Sequence, residues 1–120
     1  MTRPLQAAII LAALRHNLGV VRRHAPSARV LAVVKANAYG HGVARVARAL
    51  AQAGVDGFGL LELDAAVALR ENAIAQRIVL LEGFFGLNEL PVLAHHGIDA
   101  AVHCEEQLAL LEKAQGKYHV

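Results

Sequence analysis

Short apolar runs, each followed by a helical pattern, recur along this chain, and that recurrence restricts its fold more than any other feature. Four runs return at intervals of about 20 to 25 residues, a spacing that fits strand–helix units of a parallel sheet. They lie from Val30 to Lys35, Phe58 to Leu61, Ile78 to Leu81 and Asp99 to His103. The first, Val30-Leu31-Ala32-Val33-Val34, is rich in β-branched residues and does not alternate, which predicts a strand buried on both faces.

Helical periodicity fills the intervals. Leu11, Leu14, Leu18 and Val21 mark one face of a helix from Leu11 to His24, ended by Pro26. The stretch Leu5 to Ile10 before it reads equally well as a short strand or an added helical turn. Val43, Val46, Ala47, Leu50 and Ala51 share a face that stops at Gly54. Leu63, Ala66, Val67 and Arg70 predict a helix to about Ala73. Asn88 is the expected N-cap of the next helix, with Pro91 in its first turn and Gly97 at its end. The last helix opens on Glu105 and Glu106, carries Lys113 near its end as the helix dipole favours, and closes at Gly116. Lys117 to Val120 reads as a polar tail or as the start of something further. Right-handed crossovers place the helices consistently about the sheet, and two architectures stay open. One is a small open α/β sheet; the other is half of a (β/α)₈ barrel, with unpaired strand edges and an open apolar interior.

Composition narrows the partners. The chain has 120 residues, the size of one ordinary domain. That is well short of the roughly 250 of a TIM barrel. It is 56% hydrophobic, enough to bury a core, yet only 4% aromatic, which argues against base-stacking platforms for nucleic acid. The net charge is +2, and the one tight basic cluster, Arg22-Arg23-His24, reads as a solvated helix end. No apolar stretch is long enough to span a membrane. The run Ala7 to Leu14 after Arg3 loosely resembles a signal peptide, but Arg15, His16 and Asn17 end it without a cleavage site. A single cysteine, Cys104, fits a reducing cytosol, so a cytoplasmic location is expected.

Most candidate motifs fail on spacing. Gly40-His41-Gly42 has Arg45 where a dinucleotide fingerprint needs its third glycine, and no G-K-[ST] is present. His95-His96 and His103 lack a helical H-x-x-x-H or a Cys/His cluster, so no metal site is expected. Cys104 beside His103 is a sequence neighbour rather than a nucleophile–base pair. Lys35 stands apart. It lies at the carboxyl end of the first strand, where parallel α/β folds build active sites. An unpaired lysine there is costly as mere structure, but useful as a nucleophile or base if the amine is kept neutral.

The stretch around that lysine, Ala32-Val33-Val34-Lys35-Ala36-Asn37-Ala38-Tyr39-Gly40-His41-Gly42, resembles the pyridoxal-phosphate attachment motif of alanine racemases. Flanking segments are similar too: Leu11 to Leu18, Ala53 to Gly59, Leu80 to Phe85, Ala101-Val102-His103 and Glu105 to Leu108. Small departures fall at Ile10, Leu61, Glu62 and the segment Asp64-Ala65-Ala66. The resemblance covers nearly the whole chain but only the first part of the family's longer protein. It implies half of a TIM-like (β/α)₈ barrel of pyridoxal-phosphate fold type III: four parallel strands alternating with helices after an N-terminal helix. Residues 1–120 would form one partial barrel domain, without the family's C-terminal β-domain.

The resemblance also implies chemistry. Lys35 would form the Schiff base with pyridoxal 5'-phosphate and, once displaced by the substrate amine, act as general base. Tyr39 would hydrogen-bond the cofactor phosphate. Racemisation needs a second acid/base on the opposite face, which in the family is a tyrosine of the partner subunit's C-terminal domain. Of the tyrosines here, Tyr39 already has a role and Tyr118 matches no motif. The family's arginines for the pyridine nitrogen and the substrate carboxylate also lie beyond Val120. The expected activity is therefore interconversion of L- and D-alanine for peptidoglycan precursors by a cytoplasmic homodimer, with the 120 residues inactive alone. Two other readings stand beside it: a half-barrel scaffold that pairs with a second copy, and a single-domain pyridoxal-phosphate carrier.

Overall fold

The computed structural model describes residues 3–114, 118 and 120. Its order is α1 (Leu11–His24), β1 (Leu31–Val33), a helical turn α2 (Lys35–Tyr39), α3 (Val43–Gln52), β2 (Gly57–Leu60) and α4 (Leu63–Glu71). Then come β3 (Arg77–Leu80), a 3₁₀ turn (Leu87–Glu89), α5 (Leu90–His96), β4 (Asp99–Ala100) and α6 (Glu105–Lys113). All four strands are parallel and lie in the order β1-β2-β3-β4. A doubly wound sheet reverses its strand order at a switch point, whereas a barrel adds each strand beside the last. The sequential order is thus that of a half barrel.

The register divides the sheet into two faces, because side chains alternate along a strand. Ala32, Phe58 and Ile78 share one face with Leu60, Leu80 and Ala100. This is the helix-covered face: Phe58, Leu60, Ile78, Leu80 and Ala100 are all buried. Leu18 of α1, Val46 and Leu50 of α3, Leu69 of α4 and Leu93 of α5 complete the core.

The other face carries Leu31, Val33, Gly57, Gly59, Arg77, Val79 and Asp99. Here the expectation of a first strand buried on both sides is corrected: Leu31 and Val33 are 42% and 41% exposed. They point to what would be the inside of a closed barrel, which no described residue covers. Gly57 and Gly59 are nevertheless buried, because neighbouring leucines lie across them. A Cβ at Gly59 would sit 3.2 Å from both Leu31 Cδ2 and Leu81 Cδ2. Arg77 and Asp99 also meet on this face, at 2.7 Å.

Other boundaries differ from the sequence reading for local reasons. Leu5 to Ile10 is neither strand nor helix. The fourth strand is only Asp99–Ala100, since Ala101 onward turns toward α6. α4 stops at Glu71, where Ala73 turns to φ 64°. Asn88 is not an N-cap: it lies inside the 3₁₀ turn, and Glu89 is the cap of α5, with Pro91 in the first turn as expected. The Glu89 carboxylate instead accepts from Gly86 N–H at 3.1 Å. Of the two loop aromatics, Phe84 is buried and Phe85 is 73% exposed. The Gly116 stop falls outside the described residues.

Arg70 ties the segments that lead into β3 and β4. Arg70 Nε and Nη2 donate to His96 O and Gly97 O at 2.8 and 2.9 Å, and Nη1 donates to Ile74 O and Gln76 O at 2.7 and 2.6 Å. Burial lowers the Arg70 pKa from its ordinary value, and the nearby Asp99 carboxylate opposes that shift.

Phe58 is completely buried at the centre of the helix-covered face. Phe58→Ala is expected to lower stability by about 3–5 kcal/mol, the usual cost of removing a buried phenylalanine ring. A matching fall in the urea unfolding midpoint checks this.

Candidate functional site

Lys35 is delivered by the end of β1. The strand proper stops at Val33, but Val34 N–H still donates to Gly59 O at 2.8 Å and holds the chain against β2 for one more residue. Val34 is buried beneath, while Lys35 is half-buried at the carboxyl edge of the sheet. Among the described residues the Lys35 amine has no hydrogen bond and no ion pair.

Beyond Lys35 the chain enters a turn of unusual hand before α3. Ala36, Asn37, Ala38, Tyr39 and Gly40 all have positive φ, at 51°, 55°, 55°, 54° and 84°. The ψ values of Ala36, Asn37 and Ala38 are 50°, 44° and 48°, so the segment is one turn of left-handed helix. Ala38 N–H donates to Val34 O at 2.9 Å and Gly40 N–H to Ala36 O at 3.0 Å. Each non-glycine residue in this region costs roughly 1–2 kcal/mol through its Cβ. Strain of this kind persists only where surrounding contacts over-determine it, and it clusters at functional sites.

Side chains supply such contacts at the exit. Asn37 Oδ1 accepts from Val43 N–H at 2.9 Å, and Asn37 O accepts from Gly42 N–H at 3.0 Å. His41 Nδ1 donates to Ala38 O at 3.0 Å, which places the ring proton on Nδ1, because a carbonyl can only accept. Arg45 Nε donates to His41 O at 3.0 Å and occupies the space that a Cβ on Gly42 would need.

The turn brings the two expected site residues together. Lys35 Nζ lies 6.0 Å from the centre of the Tyr39 ring. They nevertheless face different spaces. Lys35 lines a cleft of about 490 Å³ with Asn37, Leu60, Leu61 and Glu62. Tyr39 lines a smaller recess of about 280 Å³ with Leu14, Val33 and Leu50. Since β1 pairs only with β2 among the described residues, this second recess opens at the free edge of the sheet. A ligand touching both groups therefore straddles that edge. Tyr39 is 58% exposed, and its hydroxyl has no partner among the described residues.

Gln107, the one buried polar side chain among the described residues, joins the segments that follow β3 and β4. Its amide donates to Glu82 O at 2.9 Å, while its oxygen accepts from His103 N–H at 2.7 Å. A Cβ on Gly83 would come within 2.2 Å of Ala101 O and 2.6 Å of Gln107 Nε2, so only glycine fits at this bend. Sequence reading missed Asn37, Glu62 and Gln107. Asn37 alone carried a signal, as a turn-favouring residue between two alanines. His95 and His96 meet edge to face at the end of α5, and no metal-holding group of three His, Cys, Asp or Glu side chains occurs among the described residues.

An amine without hydrogen bond or ion pair and an exposed phenol, each lining its own recess, suit two parts of pyridoxal phosphate, its aldehyde and one oxygen of its phosphate.

Known proteins resemble this chain in sequence and in fold. The family model described as alanine racemase, N-terminal domain, matches residues 9–120. An alanine racemase of Nitrosomonas europaea is 56% identical over 119 residues, covering 98% of this chain and 32% of its own. The chain thus spans about a third of the curated relatives it matches. The structure of alanine racemase from Acinetobacter baumannii superposes with a TM-score of 0.82 at 35% identity, covering 88% of this chain and 31% of that one. That of Bartonella henselae, described with covalently bound pyridoxal phosphate, gives 0.74 at 31% identity over 88% and 30% of the two chains.

Because the Tyr39 hydroxyl is unpartnered, Tyr39→Phe is expected to leave stability within about 0.5 kcal/mol of the parent. Thermal unfolding of the two proteins side by side checks this.

Proposed function

The chain belongs to the alanine racemase N-terminal domain family, and from that premise we propose that it is the lysine-bearing part of a pyridoxal-phosphate-dependent alanine racemase. The observation that carries the proposal is the unpartnered Lys35 amine at the carboxyl end of β1, followed at once by the left-handed turn that sets Tyr39 near it.

When bound, pyridoxal phosphate supplies an electron-withdrawing ring that takes up the electron pair left as the α-proton departs. Lys35 would hold the cofactor through its amine, and the same amine, when free, would take the α-proton from its own face. A positioned base of this kind contributes typically about 10² to 10⁴-fold. The Tyr39 hydroxyl would donate to the phosphate. Return of a proton to the opposite face needs a second acid. Tyr118 does not suit that role, since it packs against the hydrophobic core. We assign the second acid, and the groups for the pyridine nitrogen and the substrate carboxylate, to parts of the longer relatives that this chain does not span. Alanine as substrate, a cytoplasmic homodimer and D-alanine supply for peptidoglycan belong to the same proposal.

Incubation with pyridoxal phosphate, borohydride reduction and peptide mapping test it. Modification is expected at Lys35, with Lys113 and Lys117 untouched, and none in Lys35→Ala. Tyr39→Phe is expected to weaken cofactor binding about tenfold or more, the loss of one hydrogen bond to a charged group. Labelling spread evenly over the three lysines would overturn the assignment.

A further inference from the structure

The left-handed turn poses a question that the proposed chemistry leaves unanswered: what keeps four non-glycine residues there. Main-chain bonds within the turn are only part of the answer, because a right-handed turn makes the same kind of bond without the Cβ conflict. The entry is held by Val34, paired to β2. At the exit, the first amides of α3 need acceptors, as at any helix start. Gly42 precedes α3 and has no side chain to offer one, and no side chain caps the helix locally.

Asn37 fills that gap from six residues away. Its Oδ1 accepts from Val43 N–H at 2.9 Å, and its own carbonyl accepts from Gly42 N–H at 3.0 Å. One residue thus closes the turn and caps the following helix at once. It also sits at φ 55°, ψ 44°, a region that asparagine occupies more readily than other side chains. Ala36 and Ala38 have no side-chain acceptor, and the Tyr39 hydroxyl is too far along its ring to reach back to the exit amides. His41 and Arg45 bind carbonyls of the turn but leave the Val43 amide to Asn37.

We infer that Asn37 is a positioning residue, a latch whose side-chain oxygen on Val43 N–H holds residues 36–40 left-handed and thereby keeps Tyr39 beside Lys35. The inference rests on the reading of Lys35 and Tyr39 as the amine and phosphate contacts of the cofactor. Were the latch released, the turn would relax, and the Tyr39 ring would swing away from Lys35. The amine, fixed by β1, would stay.

That difference makes a test. Capture at Lys35 by borohydride is measured with pyridoxal phosphate and with pyridoxal, which lacks the phosphate. The parent is expected to favour the phosphorylated form about tenfold or more. Asn37→Ala is expected to lower capture of pyridoxal phosphate far more than capture of pyridoxal and so bring the ratio down to that of a free lysine. Asn37→Asp keeps an acceptor oxygen and tolerates the left-handed region, so it is expected to restore the preference. Retention of the parental ratio in Asn37→Ala would overturn the latch, and so would an equal loss with both aldehydes, which marks a general structural role. If the parent captures neither aldehyde at Lys35, the cofactor reading fails, and amide exchange judges the latch by itself. Exchange of Val43 N–H should then quicken about fivefold or more in Asn37→Ala and not in Asn37→Asp. Unchanged exchange would sink it.

Discussion

Parallel pairing along three short registers is the constraint on which everything else here depends. A parallel strand cannot be brought to its neighbour by a tight hairpin, so each arrives through a helix that must pack on the same face. Phe58 and Ile78 at the centre of that face are the meeting point of this packing, and helices α3, α4 and α5 cover them. The strands themselves are only two to four residues long. Their alignment places the ends of β1 and β2 beside each other, and the Lys35 cleft is the space above those two ends.

The periodic parts of the chain were readable because burial on one side of a helix or strand writes itself into residue spacing. Leu11, Leu14, Leu18 and Val21 marked α1, and Glu105 and Glu106 marked the start of α6. Where a contact comes from far along the chain, spacing is silent. Nothing near Leu31 and Val33 tells that one of their faces stays open, because that depends on what lies across the barrel axis. Asn88 looked like a cap because its chemistry suits one, yet Glu89 serves the loop amides. Lys35 and Tyr39 were legible as a pair through the motif they share. The left-handed turn between them was not, since two of its residues are alanines, which give no hint of positive φ.

The site combines a rigid support with a strained one. Lys35 rises from a strand end whose final residue, Val34, is both buried and hydrogen-bonded to β2. Tyr39 rides on a turn that is costly by itself and survives through bonds at its two ends. The Lys35 amine and the Tyr39 phenol are thus carried by different kinds of backbone. The separation has a practical result: damage to the aim of Tyr39 need not disturb the placement of Lys35.

Arg70 carries a consequence for how the molecule comes apart. Two of its four carbonyl partners, Ile74 and Gln76, belong to the loop just after its own helix, and two, His96 and Gly97, belong to the end of α5. Opening either segment alone strands a charged guanidinium with half of its acceptors. The second and third strand–helix units are therefore fastened into a single cooperative block. The polar tie of α1 is weaker: Arg22, largely in solvent, donates to Gly54 O and faces the Asp56 carboxylate at 3.8 Å. Only Leu18 of that helix is buried, so α1 peels away at less cost than the block it leans on.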